Sequence, residues 1–109
     1  MSDYRIQQLK EFLREDPDDA FSAYALALEY LKMNDLPLAL ATLKELLERQ
    51  PEYLAGYYQY GKALEALGKP DDAITAYKQG VSVAKLQGNK HTLAELQGAL
   101  INLCDPDED

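Results

Sequence analysis

The feature that most constrains this chain is that it matches itself: residues 17–50 lie on residues 51–84 without a gap, at an offset of 34. Under that offset Tyr24 falls on Tyr58, Ala27 on Gly61, Ala39 on Ala73, Leu40 on Ile74, Leu43 on Tyr77 and Leu47 on Val81. Small residues meet small ones where two helices must approach closely, and large apolar residues recur at helical spacing. A unit of this length buries its apolar side only against its neighbours, so the chain is expected to stack hairpins side by side. The same phase runs backwards. Ile6, Leu9 and Leu13 stand one full period before Leu40, Leu43 and Leu47, so the first helix reads as the second half of an incomplete repeat. Arg5 stands where the full units carry Ala39 and Ala73, a place open to a large residue if no earlier helix presses on it.

Each unit splits into two helices. Pro17 and Pro51 are expected to open the first and Pro37 and Pro70 the second, because a proline in the first turn sacrifices no hydrogen bond. Asp18, Asp19, Glu52, Asp71 and Asp72 then fall in first turns, beside the positive end of the helix dipole. Turns at Met33-Asn34-Asp35 and Leu67-Gly68-Lys69 separate the paired helices. The predicted helices are 3–15, 18–33, 37–49, 52–67, 70–86 and 91–103. The fifth is long because Lys85 replaces the proline expected from Pro17 and Pro51, and it stops at Gly88-Asn89. Leu93, Leu96, Leu100 and Leu103 give the last helix an apolar stripe that can cover the end of the stack. The expected fold is all-α: a single domain with a half-repeat helix (1–16), two repeats (17–50 and 51–87), a capping helix (91–104) and an acidic tail (105–109).

Composition narrows the function. Net charge is −8, whereas phosphate backbones and anionic membrane surfaces demand clustered Lys and Arg, so neither is an expected partner. Basic or neutral proteins remain open. Cys104 is the only cysteine, which rules out an intrachain disulfide and a multi-cysteine zinc site; a half-buried structural thiol is expected there. No basic stretch followed by an apolar run marks a secretory signal at the start, and no stretch is apolar enough to span a bilayer, so a cytoplasmic location is expected. His91, the only histidine, stands at a helix start with no oriented nucleophile beside it. The glycines form no phosphate-cradling loop after a strand. No enzyme activity, cofactor or metal is expected.

These residues resemble the tetratricopeptide repeat family, whose unit is a helix–turn–helix of about 34 residues. In that family's register the units are 20–53 and 54–87. The first carries Leu26-Ala27, Tyr30, Ala39, Leu43 and Pro51 at signature places, and the second Tyr57, Tyr60-Gly61, Leu64, Ala73 and Tyr77. Three places depart: Ala23 where the family prefers a large residue, Leu46 where it prefers a small one, and Lys85 at the closing proline. The resemblance implies a right-handed superhelical stack whose first helices line a concave groove for a partner's peptide or helix.

Carried over residue by residue, the groove would be lined by Phe21, Tyr24, Leu28, Leu31 and Lys32 in the first repeat, and by Ala55, Tyr58, Gln59, Lys62 and Glu65 in the second. Phe21, Tyr24, Leu28 and Leu31 make an apolar stripe on a different side of the helix from Ala23, Leu26, Ala27 and Tyr30. A helix apolar on two sides wants two partners. The second could be a protein ligand, another copy of this chain in a homodimer, or the N-terminal helix folded over the groove through Phe12 or Tyr4. Some family members hold the C-terminal carboxylate of heat-shock chaperones in a Lys/Asn/Arg clamp. The matching positions here hold Tyr24, Leu28 and Gln59, so binding of that kind is not expected.

Overall fold

The computed structural model describes residues 2–104. Within them the chain forms six helices and no strand: α1 (Ser2–Glu15), α2 (Ala20–Lys32), α3 (Leu36–Arg49), α4 (Leu54–Ala66), α5 (Pro70–Gln87) and α6 (Lys90–Leu103). The predicted tail, 105–109, lies outside the described residues. Each helix packs on the next, and α4 also touches α6. Thus α2, α4 and α6 form one row and α1, α3 and α5 the other, in a body measuring 47 × 29 × 20 Å.

Two helix starts differ from expectation. Pro17 and Pro51 do not sit in the first turns of α2 and α4. They occupy tight turns ahead of them, closed by hydrogen bonds from Asp19 N to Asp16 O (3.1 Å) and from Tyr53 N to Gln50 O (3.0 Å). Proline's fixed φ suits the second position of such a turn as well as a first helical turn. Asp18 and Glu52 therefore lie outside the helices. Asp19 instead caps α2: its carboxylate accepts from the Ser22 hydroxyl (2.6 Å) and amide (3.1 Å), bonds that hold its pKa below the ordinary value. Pro37 and Pro70 do stand in first turns, and Asp71 and Asp72 accompany the latter.

Three helices end in one way. Asn34, Gly68 and Gly88 adopt left-handed φ values of 57°, 75° and 68°. The next amide in each case reaches back to the carbonyl of Tyr30, Leu64 or Ala84 at 2.9–3.0 Å, which satisfies groups a helix end would otherwise strand.

Ala39, Leu43, Ala73 and Tyr77 are wholly buried between the rows. At one end α1 seats Ile6 and Leu9 against Ala25, Leu26 and Tyr30, each anchor contributing roughly 1.5–3 kcal/mol. At the other, Leu96 and Ala99 of α6 close the cluster around Tyr77 and Ala84. Arg5 lies largely exposed on α1, its guanidinium 3.4 Å from Glu29.

The sequence departures at Ala23 and Leu46 prove to be one feature. Their counterparts in the second repeat are Tyr57 and Gly80, and those two touch: a methyl on Gly80 would fall 2.8 Å from Tyr57 Cβ. The second repeat pairs a large residue on its first helix with none on its second, while the first repeat reverses the sizes. Close packing makes such an exchange of volume between facing positions the tolerated kind of change.

Candidate partner-binding groove

The predicted groove residues lie on α2 and α4, but they are not equally free. Phe21 is 70% exposed and extends the apolar stripe into solvent. Tyr24 is half-buried, its ring 5.5 Å from that of Tyr53 at the entry to α4. Leu28 is half-buried as well. Leu31 is drawn into the cluster that joins α1 to α2, so it belongs at least in part to the stack.

The N-terminal helix does not cover this face through Phe12 or Tyr4. Both side chains are exposed, Phe12 by 50%, and the Tyr4 hydroxyl accepts from Gln8 Nε2 (3.1 Å). The reason is register. Ile6, Leu9 and Leu13 bind α1 in the row of α3 and α5, which turns Tyr4 and Phe12 away.

On α4 the groove becomes polar. Lys62 and Glu65 occupy the places of Leu28 and Leu31 one repeat earlier. Lys62 Nζ stands 5.5 Å from the Tyr58 ring centre and 3.8 Å from Glu65 Oε2. Glu65 is not a free groove acid, because it accepts a short hydrogen bond from the Tyr77 hydroxyl. Burial first, and then that carboxylate, push the Tyr77 phenol well above the ordinary tyrosine range. Tyr58 in turn packs 6.2 Å from the Tyr77 ring. Gln59 is half-buried and Ala55 exposed.

Two features escaped the sequence reading. Glu29 is only 4% exposed, yet ionised groups are seldom buried without partners. Its carboxylate meets Lys32 Nζ at 3.1 Å and Arg5 Nε at 3.4 Å, so Lys32 faces the groove with its charge already engaged. The signal was available, since Glu29 stands one period before the buried Ala63. Tyr53 is the other, an aromatic at the place of the helix-capping Asp19. Without a cap to make, its ring supports Tyr24.

Among the described residues no catalytic cluster gathers around His91 or Cys104. His91 is exposed on α6, 3.8 Å from Glu95, while Asn89 does the capping by accepting from Thr92 N (3.0 Å). Cys104 is half-buried at the end of α6. Among the described residues no group of three or more His, Cys, Asp or Glu could hold a metal ion, and no helix is long and apolar enough to cross a membrane.

Comparison with known proteins agrees with this architecture. The family model described as tetratricopeptide repeat matches residues 24–89. A TPR repeat-containing protein of Pseudomonas aeruginosa is 32% identical over 91 residues, covering 84% of this chain and 87% of its own. Among solved structures, the solution structure of a tetratricopeptide repeat domain protein from Salinibacter ruber has 42% identity and a TM-score of 0.77, covering 86% of this chain and 97% of that one. The TPR2B domain of yeast Sti1, solved in complex with pHsp70, superposes with a TM-score of 0.84 at 17% identity, over 90% of this chain and 78% of that one. The repeat period, the alternating rows of helices and these matches lead to one assignment: the chain belongs to the tetratricopeptide repeat family.

Proposed function

We propose that this protein is a non-catalytic scaffold that holds a peptide or helix of a partner protein along the α2–α4 face. The observation that carries this reading is the exposure of Phe21 at the end of a stripe continued by Tyr24 and Leu28. An aromatic standing in water beside further apolar surface is a ready anchor site. Two yeast neighbours were solved as complexes with pHsp70 and pHSP90, so this fold can present a surface to a ligand.

Apolar burial rather than charge would drive capture. Lys32 is paired with Glu29, and Lys62 is shared between Glu65 and the Tyr58 ring, so little unbalanced positive charge remains to read an acidic group. Both lysine ends stand in solvent, so salt screens what charge they still present. Binding should therefore persist at high salt, and an acidic peptide with a free C-terminal carboxylate should bind weakly.

Phe21→Glu tests the proposal with little risk to the fold, because the side chain is mostly in solvent. The variant should keep its melting temperature and helical CD but lose the partner captured from a lysate of the source organism. Equal capture by both proteins would place the partner elsewhere. Sedimentation across a concentration range distinguishes the other reading, in which the same face joins two copies: a dimer abolished by Phe21→Glu would favour it.

A further inference from the structure

The exchange of sizes between the repeats deepens a cleft that each repeat has. The first-repeat cleft reaches Ala20 and Leu46, whereas their counterparts Leu54 and Gly80 do not line the second-repeat cleft, of which Tyr57 forms a wall. In the second repeat Tyr57 lies against Gly80, and its hydroxyl donates to the Pro51 carbonyl at 2.6 Å. In the first repeat Ala23 replaces the tyrosine. Leu46 fills only part of the room, and a cleft of about 340 Å³ remains between the end of α1, the start of α2, and α3. Its walls include Leu13, Pro17, Ala20, Ala23 and Leu46, with Ala41 among the lining residues. That volume sits at the lower end of the roughly 300–1,000 Å³ typical of small-ligand sites, room for one aromatic side chain.

We propose that this cleft is a second binding site, on the α1/α3 side of α2, and that its occupant is a tyrosine side chain of a partner protein. The template is inside the molecule. Pro17 and Pro51 stand in matching turns, each closed by the same backbone hydrogen bond, so their carbonyls stand in corresponding places. The Pro51 carbonyl accepts from a tyrosine hydroxyl, whereas the Pro17 carbonyl has no hydrogen-bond donor among the described residues. An incoming tyrosine would complete in trans what Tyr57 completes in cis: the ring on the apolar floor, the hydroxyl on the carbonyl. The charges at the rim add little selectivity, because Arg49 already pairs with Asp18 (3.1 Å) and Glu45 (3.4 Å), and Arg14 with Glu11 (2.9 Å). Recognition therefore falls to the phenol.

The probe is the blocked tripeptide Gly-Tyr-Gly, titrated into isotopically labelled protein and followed by backbone amide shifts. It should move the amides of Ala20, Ala23 and Leu46 at millimolar concentrations. The Phe analogue should bind roughly three- to tenfold more weakly for want of the hydroxyl, and the Leu analogue more weakly still. Ala23→Tyr should close the deep end of the cleft from within, as Tyr57 does in the second repeat, abolish the shifts and raise the melting temperature. Should that variant fail to fold, Ala41→Trp on the exposed rim should abolish them by covering the mouth. Absence of shifts at these residues, shifts that survive either folded variant, or equal binding of the Tyr and Leu peptides would overturn the proposal. So would a concentration-dependent dimer that already occupies the cleft.

Discussion

Gly61 of α4 lies directly beneath the ring of Tyr77 of α5, so closely that a single methyl group on the glycine would enter the ring. The corresponding pair in the first repeat is Ala27 and Leu43, both wholly buried, where the methyl is present and the ring is not. One interface is thus packed twice with its volume divided differently.

Gly61→Ala should therefore destabilise the protein by about 3 kcal/mol, at the upper end of the usual cost of overpacking, because the buried ring has nowhere to move. Adding Tyr77→Leu recreates the first repeat's pair and should recover at least half of that loss. Urea denaturation of the two variants measures the coupling. Purely additive effects would mean that the two residues do not share one volume.

The buried Glu29 is held by two cations that are themselves mostly exposed. Replacing both in Arg5→Ala/Lys32→Ala should cost about 1–2 kcal/mol, because a carboxylate away from water is left without a partner. Adding Glu29→Ala, the residue found at the matching Ala63, should return most of it. Chemical denaturation again decides, and a loss that Glu29→Ala deepens would contradict this account.

Gly68 and Asn34 end α4 and α2 in the same left-handed conformation. Gly68→Ala should destabilise by about 1 kcal/mol through backbone strain alone, since nothing beyond the adjoining residues lies within 4 Å of the added methyl. Asn34→Gly should be neutral or slightly stabilising. Thermal melts should show a lowered midpoint for Gly68→Ala and no lowering for Asn34→Gly.

Alkali should unfold the protein through its tyrosines. Burial, the leading cause in each case, raises the pKa of Tyr53, Tyr57, Tyr60 and Tyr77. Unfolded tyrosines lose their protons near pH ~10 while these four retain theirs, so above that pH the unfolded state binds fewer protons. Their contribution is complete below about pH 10 and falls as pH rises beyond it. Denaturation midpoints should hold until about pH 10 and fall progressively above it, and the phenolate absorbance of these residues should grow together with the loss of helical CD.

Much of this was legible in the chain itself, for a physical reason. A fixed period with small residues at the crossings leaves little choice but stacked hairpins, and the long α5 followed from Lys85 in place of a proline. Pro17 and Pro51 misled about helix starts because their fixed φ serves a turn and a first helical turn equally. The departures at Ala23 and Leu46 looked unrelated along the sequence, since only packing reveals that positions on two different helices share one volume. The groove was legible as a face but not as a set of free side chains. Leu31 is taken up by α1, Glu65 by Tyr77 and Lys32 by Glu29, and pairings between elements leave no trace in the period of a single helix.

The claim on which the functional account rests is that the exposed end of the α2 stripe meets another protein. A photo-crosslinking amino acid placed at Phe21, in cells of the source organism, tests it most directly, with the same group at the exposed Lys78 of α5 as control. The account predicts a discrete adduct with a second protein from position 21 and none from position 78. Adducts of equal yield from both positions, or none from position 21, would contradict it.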